Sequence, residues 1–204
     1  KKGRLTNFIR TCIEILSSLP SVVVGLFGYL IFVVQFEYGF SILSGALALT
    51  VFNLPQMTRN VEDSLRHVHH TQREAGLALG ISRWETVLHV VIPEALPGIV
   101  TGIVLASGRI FGEAAALIFT AGQSAPALDW SNWNPFSVTS PISIFRQAET
   151  LAVHIWKVNS EGTIPDGTLV SAGSAAVLLI FILIFNLAAR RIGKVLHKKL
   201  TSAQ

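Results

Sequence analysis

Residues 74–93 decide the fold of this chain and read EAGLALGISRWETVLHVVIP. Charged side chains interrupt this segment at intervals, and yet a long apolar run begins two residues after it, at Ala95. The segment is therefore a water-facing, helix-forming region joined directly to a membrane span. A protein that only anchors itself in a bilayer does not need such a region, whereas one that receives a mechanical push from a soluble partner does.

The composition is that of a membrane protein. Of the 204 residues, 50% are hydrophobic and only 14% are charged, and the mean hydropathy is +0.54; these values lie outside the range of soluble domains. The net charge of +4 does not indicate nucleic acid, because the basic residues flank apolar runs as topology signals do. A single cysteine, Cys12, allows neither an internal disulfide nor a cysteine-based metal site. The chain does not begin with Met and shows no signal-peptide cleavage pattern, so we expect a fragment that lacks an N-terminal part.

Four segments are long enough to cross a bilayer, which takes roughly 20 mostly apolar residues per helix. The predicted fold is therefore an all-α polytopic membrane protein with spans at about residues 19–36, 40–57, 95–121 and 169–189. A water-facing segment at about 59–93 separates the second span from the third. A loop at about 123–168 separates the third span from the fourth.

Basic residues predict the orientation of these spans. They form three groups, which are Lys1, Lys2, Arg4 and Arg10, then Arg59, Arg66, Arg73 and Arg83, and finally Arg190, Arg191, Lys194, Lys198 and Lys199. The positive-inside rule places all three groups, and with them residues 59–93, on the cytoplasmic side of the membrane. In the outer loop, apolar residues at helical spacing predict a helix over 144–158. That helix either lies flat on the bilayer surface or forms a docking surface for an extracytoplasmic partner.

Residues 61–91 predict helices outside the membrane. Gly80 followed by Ser82 is typical of one helix end and the cap of the next, so we expect two short helices that meet at a bend. Apolar residues at three- and four-residue steps form one face, namely Leu77, Ile81, Trp84, Leu88 and Val91. Such an edge fits a groove in a partner. The alternative, a helix resting on lipid headgroups, suits its mixed charge poorly.

The same segment resembles the cytoplasmic loop signature of the permease subunits of ATP-binding-cassette importers. That signature is Glu-Ala-Ala, three residues, Gly, nine residues, Ile, one residue and Leu-Pro. Glu74, Ala75, Gly80 and Pro93 match it at the correct spacing, while Gly76 stands at the second alanine. The resemblance implies a type I importer transmembrane domain that docks onto an ATPase through the coupling residues Glu74, Ala75, Gly76, Gly80, Trp84 and Pro93.

A narrower similarity links residues 19–27, 108–121 and 141–145 to the A-type permeases of phosphate importers. It implies inorganic phosphate as the cargo and six spans in a complete subunit. The partners that it implies are a dimer of ATPase subunits, a second homologous permease, an extracytoplasmic phosphate-binding protein and membrane lipid, with no nucleic acid. ATP and magnesium would be bound by the ATPase, and no cofactor by this chain. Residues 67–70 depart from the family pattern, in which a proline usually precedes the coupling region.

Arg109 and Glu113 fall in the middle of the predicted third span. A charge at the centre of a spanning helix costs about 2.5–3.5 kcal/mol on insertion scales. Their i, i+4 spacing would place them on one face of a helix, where they could neutralise each other. Either the pair locks the helix bundle, or Arg109 meets a transiting oxyanion while Glu113 is its resting counter-ion, since a guanidinium matches phosphate oxygens. Arg59 is a second candidate for the substrate pathway, or a topology anchor.

Two further functions stay open. The first is an importer permease for another ligand, such as sulfate, molybdate or an amino acid. The second is a secondary carrier with Arg109 and Glu113 in a proton relay. No P-loop signature occurs in the chain, so we expect that it does not hydrolyse ATP itself and that it is a transport permease rather than an enzyme. His67, His69 and His70 are interpreted as a solvated cluster rather than a metal site, because no carboxylate ligand pattern accompanies them.

Overall fold

The computed structural model describes residues 3–162 and 165–201. Lys1 and Lys2, two of the basic residues used to predict the orientation, lie outside the described residues. Within the described part the secondary structure is entirely helical. The chain divides into two compact units, one formed by Lys1–Pro55 with Arg109–Phe181 and the other by Gln56–Gly108 with Ile182–Gln204.

The helices follow one another in a simple order. They are α1 (Arg4–Ser18), α2 (Ser21–Gly28) with a π-helical continuation (Tyr29–Gln35), α3 (Ile42–His67), α4 (His70–Ala78), α5 (Arg83–Thr86) with a π-helical turn (Val87–Val91), α6 (Ile92–Phe111), α7 (Ala115–Thr120), α8 (Leu151–Glu161) and α9 (Gly167–Thr201). Helices α3, α6 and α9 each run through both units.

Small residues bring three helices of the first unit into close contact. A Cβ atom added at Gly25 of α2 would lie 2.8 Å from the Cα of Ala116 in α7. One added at Gly45 of α3 would lie 2.9 Å from the Cβ of Ala121. Glycine lets helix backbones approach where lipid supplies no hydrophobic drive. The core that results contains Leu117, Ala121 and Val153.

The outer loop completes the N-terminus of α3. The first N–H groups of a helix have no partner inside the helix. Here the N–H of Ile42 donates to the carbonyl oxygen of Arg146, and that of Leu43 to the carbonyl oxygen of Ile144, both at 2.9 Å. Because this pairing holds the backbone of 144–146 outside a helix, the prediction of a helix over 144–158 is wrong in its first half. Helix α8 begins only at Leu151, where the Thr150 hydroxyl accepts from the N–H of Val153.

The predicted third span is not one helix. Helix α6 ends at Phe111 and α7 begins at Ala115. Between them the carboxylate of Glu113 accepts a hydrogen bond from the N–H of Ala116 at 3.1 Å, so this side chain starts a new helix instead of continuing the old one. The segment predicted as a span at 95–121 is therefore not one continuous helix, and its end, Ala115–Thr120, is a separate short helix.

Two helical runs in the described residues are long and apolar enough to cross a membrane, Arg83–Phe111 and Gly167–Lys199, and a third arises if α1 and Ser21–Gln35 are taken as one bent span. The span predicted at 40–57 lies in α3, which is not among these runs. Helix α3 carries buried polar side chains, such as Asn53, whose amide N–H donates to the carbonyl oxygen of Leu49 at 2.9 Å, while its Oδ1 is buried without a hydrogen-bond partner among the described residues. The division of the chain into four spans stays a prediction.

In the second unit, α6 packs on α3 and α9 through glycines. A Cβ at Gly98 would lie 2.7 Å from the Ser64 hydroxyl, and one at Gly193 would lie 2.5 Å from Val100. Pro97 has no N–H and leaves the carbonyl of Pro93 without its helical partner. The ring nitrogen Nδ1 of His197 lies 3.2 Å from that oxygen and, since a carbonyl only accepts, donates to it.

Candidate functional site

The coupling segment (residues 70–93) has the bend that its sequence predicts. Helix α4 ends at Ala78, and Gly80 has φ +80°, a backbone conformation that side chains strongly disfavour. Ser82 then caps α5 through a reciprocal pair, in which its hydroxyl accepts from the N–H of Glu85 at 3.2 Å and the Glu85 carboxylate accepts from the N–H of Ser82 at 2.9 Å. Gly80, Ser82 and Glu85 thus determine the angle between the two short helices α4 and α5.

The surroundings of Gly76 explain why a glycine stands here at the second alanine of the family signature. It is buried where α4 meets α5, and a Cβ added there would lie 2.9 Å from the methyl carbon of Thr86. Thr86 is itself buried, and its hydroxyl donates to the carbonyl oxygen of Ser82 at 3.0 Å. In this chain the two short helices therefore approach more closely than an alanine at residue 76 would allow.

The predicted apolar face divides between core and surface. Val91 is buried with Val68 and Ala95 in the core of the second unit. Trp84 is 70% exposed, and Leu77 and Leu88 are also exposed. The hydrophobic periodicity missed Leu79, which is 83% exposed beside the bend. The exposed members form an apolar surface on charged helices, as a docking site for another protein requires.

A groove of about 330 Å³ adjoins this surface. It is lined by Leu65, Arg73, Leu77, Arg83, Thr86, Val87 and Val91. Arg73 forms one wall, and its guanidinium donates to the carbonyl oxygen of Leu65 in the last turn of α3. That carbonyl lies at a helix end, where no N–H of the same helix is available. Arg73, interpreted from sequence only as a topology signal, thus ties α4 to α3.

The remaining predicted coupling residues lie on or beside this surface. Glu74 is exposed, and its carboxylate lies 3.0 Å from Nδ1 of His70. Pro93 is the second residue of α6, inside the continuous helical run Arg83–Phe111. Pro93 therefore does not begin a helix. The π-helical turn Val87–Val91 ends two residues before Pro93, and the missing N–H of this proline interrupts α-helical bonding there.

The three histidines of residues 67–70 have separate surroundings. Nδ1 of His67 lies 2.6 Å from the carbonyl oxygen of Asp63, His70 is paired with Glu74, and His69 precedes the first residue of α4. Across 3–162 and 165–201, no three histidine, cysteine or acidic side chains gather as a metal site would require.

Arg109 lies at the end of α6, and its partner is an aromatic ring. The central carbon of its guanidinium is 4.2 Å from the ring centroid of Phe52, which is 3% exposed. Such a contact is worth about 0.5–2 kcal/mol. Phe52 is not among the predicted site residues, because it is distant from Arg109 along the chain.

Arg109 and Glu113 do not neutralise each other. Among the described residues no ion pair within 4.0 Å joins them, because the helix ends between them and Glu113 caps α7 instead. Neutralisation at i, i+4 spacing requires a continuous helix, so this part of the prediction is wrong. Arg59 lies in the part of α3 that belongs to the second unit, where it is half-buried.

The outer loop carries exposed aromatic side chains, including Trp130, Trp133 and Phe136. The ring of Phe136 stacks on Phe145 at 6.1 Å between centroids. Nearby, the hydroxyl and the backbone N–H of Ser131 donate to Asp129 and hold the pKa of this carboxyl below its usual value.

Comparison with known proteins shows the family. The profile of the binding-protein-dependent transport system inner membrane component matches residues 1–202, and the chain belongs to this family. The chain is therefore the permease component of an ATP-binding-cassette transporter, as its resemblance predicted.

Several relatives are close in sequence. The chain is 60% identical to the probable ABC transporter permease protein YqgI of Bacillus subtilis (strain 168), covering 98% of this chain and 68% of that protein. It is 34% identical to the phosphate transport system permease protein PstA 2 of Mycobacterium tuberculosis (strain CDC 1551 / Oshkosh), covering 93% and 59%. It is 36% identical to the phosphate transport system permease protein PstA of Xylella fastidiosa (strain 9a5c), covering 92% and 61%. The chain thus spans about three fifths of the phosphate permeases that it matches.

One solved structure shows the fold. An inward-facing conformation of the MetNI methionine ABC transporter matches with a TM-score of 0.70 at 19% identity, over 95% of this chain and 76% of that chain. The predicted fold class, a type I importer permease, is confirmed.

Proposed function

We propose that this chain forms the translocation core of a permease subunit through which an ATP-driven importer moves inorganic phosphate into a bacterial cytoplasm. The observation that carries the proposal is that Trp84 is exposed on the helical run Arg83–Phe111, which leads without a break into the apolar span. Trp84 and Arg109 belong to the same helical run, which couples the docking surface to the span in this proposal.

In this proposal the chain works with three kinds of partner. A dimer of ATPase subunits, which binds ATP and magnesium, docks on α4 and α5. A second homologous permease forms the other wall of the pathway. An extracytoplasmic phosphate-binding protein delivers the cargo to the outer side. The chain binds no cofactor of its own.

Arg109 is the proposed contact for the anion. A ring face that holds a guanidinium attracts its charge without occupying its in-plane N–H donors, whereas a carboxylate would bind those donors. Since Phe52 takes the place of Glu113 as the neighbour of Arg109, the guanidinium keeps donors for phosphate oxygens. Arg59, which is half-buried in α3, is proposed as a second contact on the pathway.

Phosphate is favoured as the cargo by the relatives that are named as phosphate permeases. The name of the 60% identical relative states no ligand, so a permease of the same design for another ligand is the second candidate. A secondary carrier is disfavoured, because its proton relay needs Arg109 and Glu113 side by side and the coupling segment would have no use.

The test is uptake of labelled phosphate by the complete importer in proteoliposomes loaded with ATP. We expect ATP-dependent uptake that an excess of sulfate, molybdate or methionine does not compete away. The Arg109→Gln variant should lose at least nine tenths of this uptake while the ATPase still copurifies with the permease. Arg190→Gln, which removes an arginine beyond the predicted fourth span, serves as the matched control and should transport normally.

The outcomes separate the candidates. Uptake of another anion or of an amino acid in place of phosphate would refute the cargo but retain the importer. Uptake that continues without ATP and follows a proton gradient would refute the importer. Normal phosphate uptake by Arg109→Gln would remove this residue from the pathway.

A further inference from the structure

Helix α1 (Arg4–Ser18) is amphipathic along its whole length. At 3.6 residues per turn, its large apolar side chains fall within about 160° of the helix circumference. These side chains are Leu5, Phe8, Ile9, Ile13, Ile15 and Leu16. The opposite face carries Thr6, Asn7, Arg10, Thr11 and Glu14. An arrangement this regular predicts that the helix lies at a boundary between an apolar phase and water.

The apolar face of α1 is mostly exposed in the described residues, with only Cys12 and Ile13 half-buried on this side of the helix. No residue of α1 is buried, and Leu5 and Phe8 are 71% and 67% exposed. A helix of 15 residues presents a face about 22 Å long at 1.5 Å per residue. Its occupant must be apolar over that length.

The bend after α1 orients the axis of this helix along the membrane surface. Helix α1 and the segment Ser21–Gln35 meet at 102°, so if that segment crosses the bilayer, α1 runs nearly parallel to the surface. The turn is built into the sequence. Pro20 disfavours a helical conformation at Leu19, and the hydroxyls of Ser17 and Ser18 donate to the carbonyl oxygens of Glu14 and Ile15 at 2.9 and 2.7 Å.

The charge of α1 favours lipid over a protein partner. Its charged residues are Arg4, Arg10 and Glu14, a net positive polar face among hydroxyl and amide side chains, which suits anionic headgroups. The coupling helices differ, since Arg73 and Arg83 alternate there with Glu74 and Glu85.

We propose that α1 lies in the plane of the cytoplasmic leaflet, with its apolar face in the acyl-chain boundary and its polar face among anionic headgroups. In this position the helix fixes the depth at which the following span, Ser21–Gln35, enters the bilayer. This inference does not depend on which substrate the permease carries.

The test is spin-label accessibility in the complete importer, reconstituted in vesicles of phosphatidylethanolamine and phosphatidylglycerol. In one sample the native Cys12, the one cysteine of this sequence, carries the label. In the other samples Cys12 is replaced by serine, and single cysteines are introduced into this Cys12→Ser background. In that background Phe8→Cys, Ile9→Cys and Leu16→Cys probe the apolar face. Asn7→Cys and Thr11→Cys probe the polar face.

We expect oxygen to reach the apolar-face labels and a water-soluble nickel complex to reach the polar-face labels, with a period of 3.6 residues. The apolar positions should share one depth, about 5–10 Å below the headgroups. Apolar positions shielded from both reagents would show that protein covers the face, and a depth that rises steadily from residue 4 to residue 18 would show a spanning helix. Either result overturns the proposal.

A second measurement needs only the one label on Cys12. Ile9→Asp places a charge on the apolar face and should sharply lower the oxygen accessibility of a label on Cys12. The matched control Asn7→Asp adds the same charge to the polar face and should leave that accessibility unchanged. Equal values in both variants would refute contact with the acyl chains, and transport assays on the same samples report separately on the function.

Discussion

Both the coupling segment and the region around Arg109 had clear sequence signals. The structure agrees with the predictions for the first region and differs from the predicted ion pair in the second. In the coupling segment, the bend, the cap and the exposed Trp84 lie where the pattern predicted them. Around Arg109, the expected pair with Glu113 is replaced by a contact with Phe52. The first region is built from hydrogen bonds within four residues of sequence. The second depends on where a distant helix lies.

The largest effect is expected from Gly80→Asp, which tests whether the bend is local. At φ +80° a side chain is strained by roughly 1–2 kcal/mol, and the two short helices would change their angle. We expect ATP-driven uptake to be lost, while the permease still inserts in the membrane.

The control for this prediction compares Gly80→Ala with Gly173→Ala. Alanine is used because aspartate at residue 173 would add a charge to a membrane helix. Residue 173 has open space around it and no unusual φ. Gly173→Ala should transport normally and Gly80→Ala should be impaired. Equal activity of the two alanine variants would show that the bend does not carry the coupling.

Trp84→Ala tests whether the exposed surface binds the ATPase. Aromatic residues that anchor an interface contribute about 2 kcal/mol or more, roughly a thirtyfold change in affinity. Because Trp84 is exposed, its removal should leave the thermal stability of the permease unchanged. Binding of the purified ATPase to nanodiscs that contain the permease measures the effect.

Trp130→Ala is the matched control, since Trp130 is equally exposed in the outer loop at 69%. It should leave ATPase binding unchanged. A loss of affinity in this variant equal to that of Trp84→Ala would show that the effect is not specific to the coupling segment.

Gly76→Ala tests the close approach of α4 and α5. The added Cβ would lie 2.9 Å from the methyl carbon of Thr86, and overpacking of this kind costs about 1–3 kcal/mol. Thr86→Ser removes that methyl group and keeps the hydroxyl bonded to Ser82. The double variant should therefore recover most of the stability that Gly76→Ala loses, measured by thermal unfolding of the detergent-solubilised importer. Additive losses in the cycle would contradict the contact.

The smallest effect is expected at Glu113. Glu113→Ala removes the acceptor that caps α7 and should cost about 1 kcal/mol of stability. Glu113→Gln keeps an oxygen acceptor for the N–H of Ala116 and should cost clearly less in the same unfolding measurement. If Glu113 balanced the charge of Arg109, both variants would be equally harmful, and the comparison between the two regions would fail.

The parts of the site that sequence could predict are those with local signals. Gly80 and Ser82 identify a helix end and a cap by themselves, and the Glu74 to Pro93 spacing identifies the family. The sequence could not reveal that Phe52 contacts Arg109, or that Arg73 bonds to the carbonyl of Leu65, because these partners are set by helix packing. The helix predicted over 144–158 failed for the same reason, since the carbonyls of Ile144 and Arg146 serve the N-terminus of α3.

By itself, the sequence determined that this protein is helical, that it belongs to a membrane, and that a capped bend precedes its apolar third segment. These properties follow from hydropathy and from hydrogen bonds between near neighbours. Only the tertiary structure decided where the third segment breaks, which group holds Arg109, and how closely α4 and α5 approach. The contact between Arg109 and Phe52 closes a long loop of chain, and the approach of α4 and α5 depends on how Gly76 meets Thr86 across the bend. The break depends on a local bond from the N–H of Ala116 to Glu113, which hydropathy does not reveal.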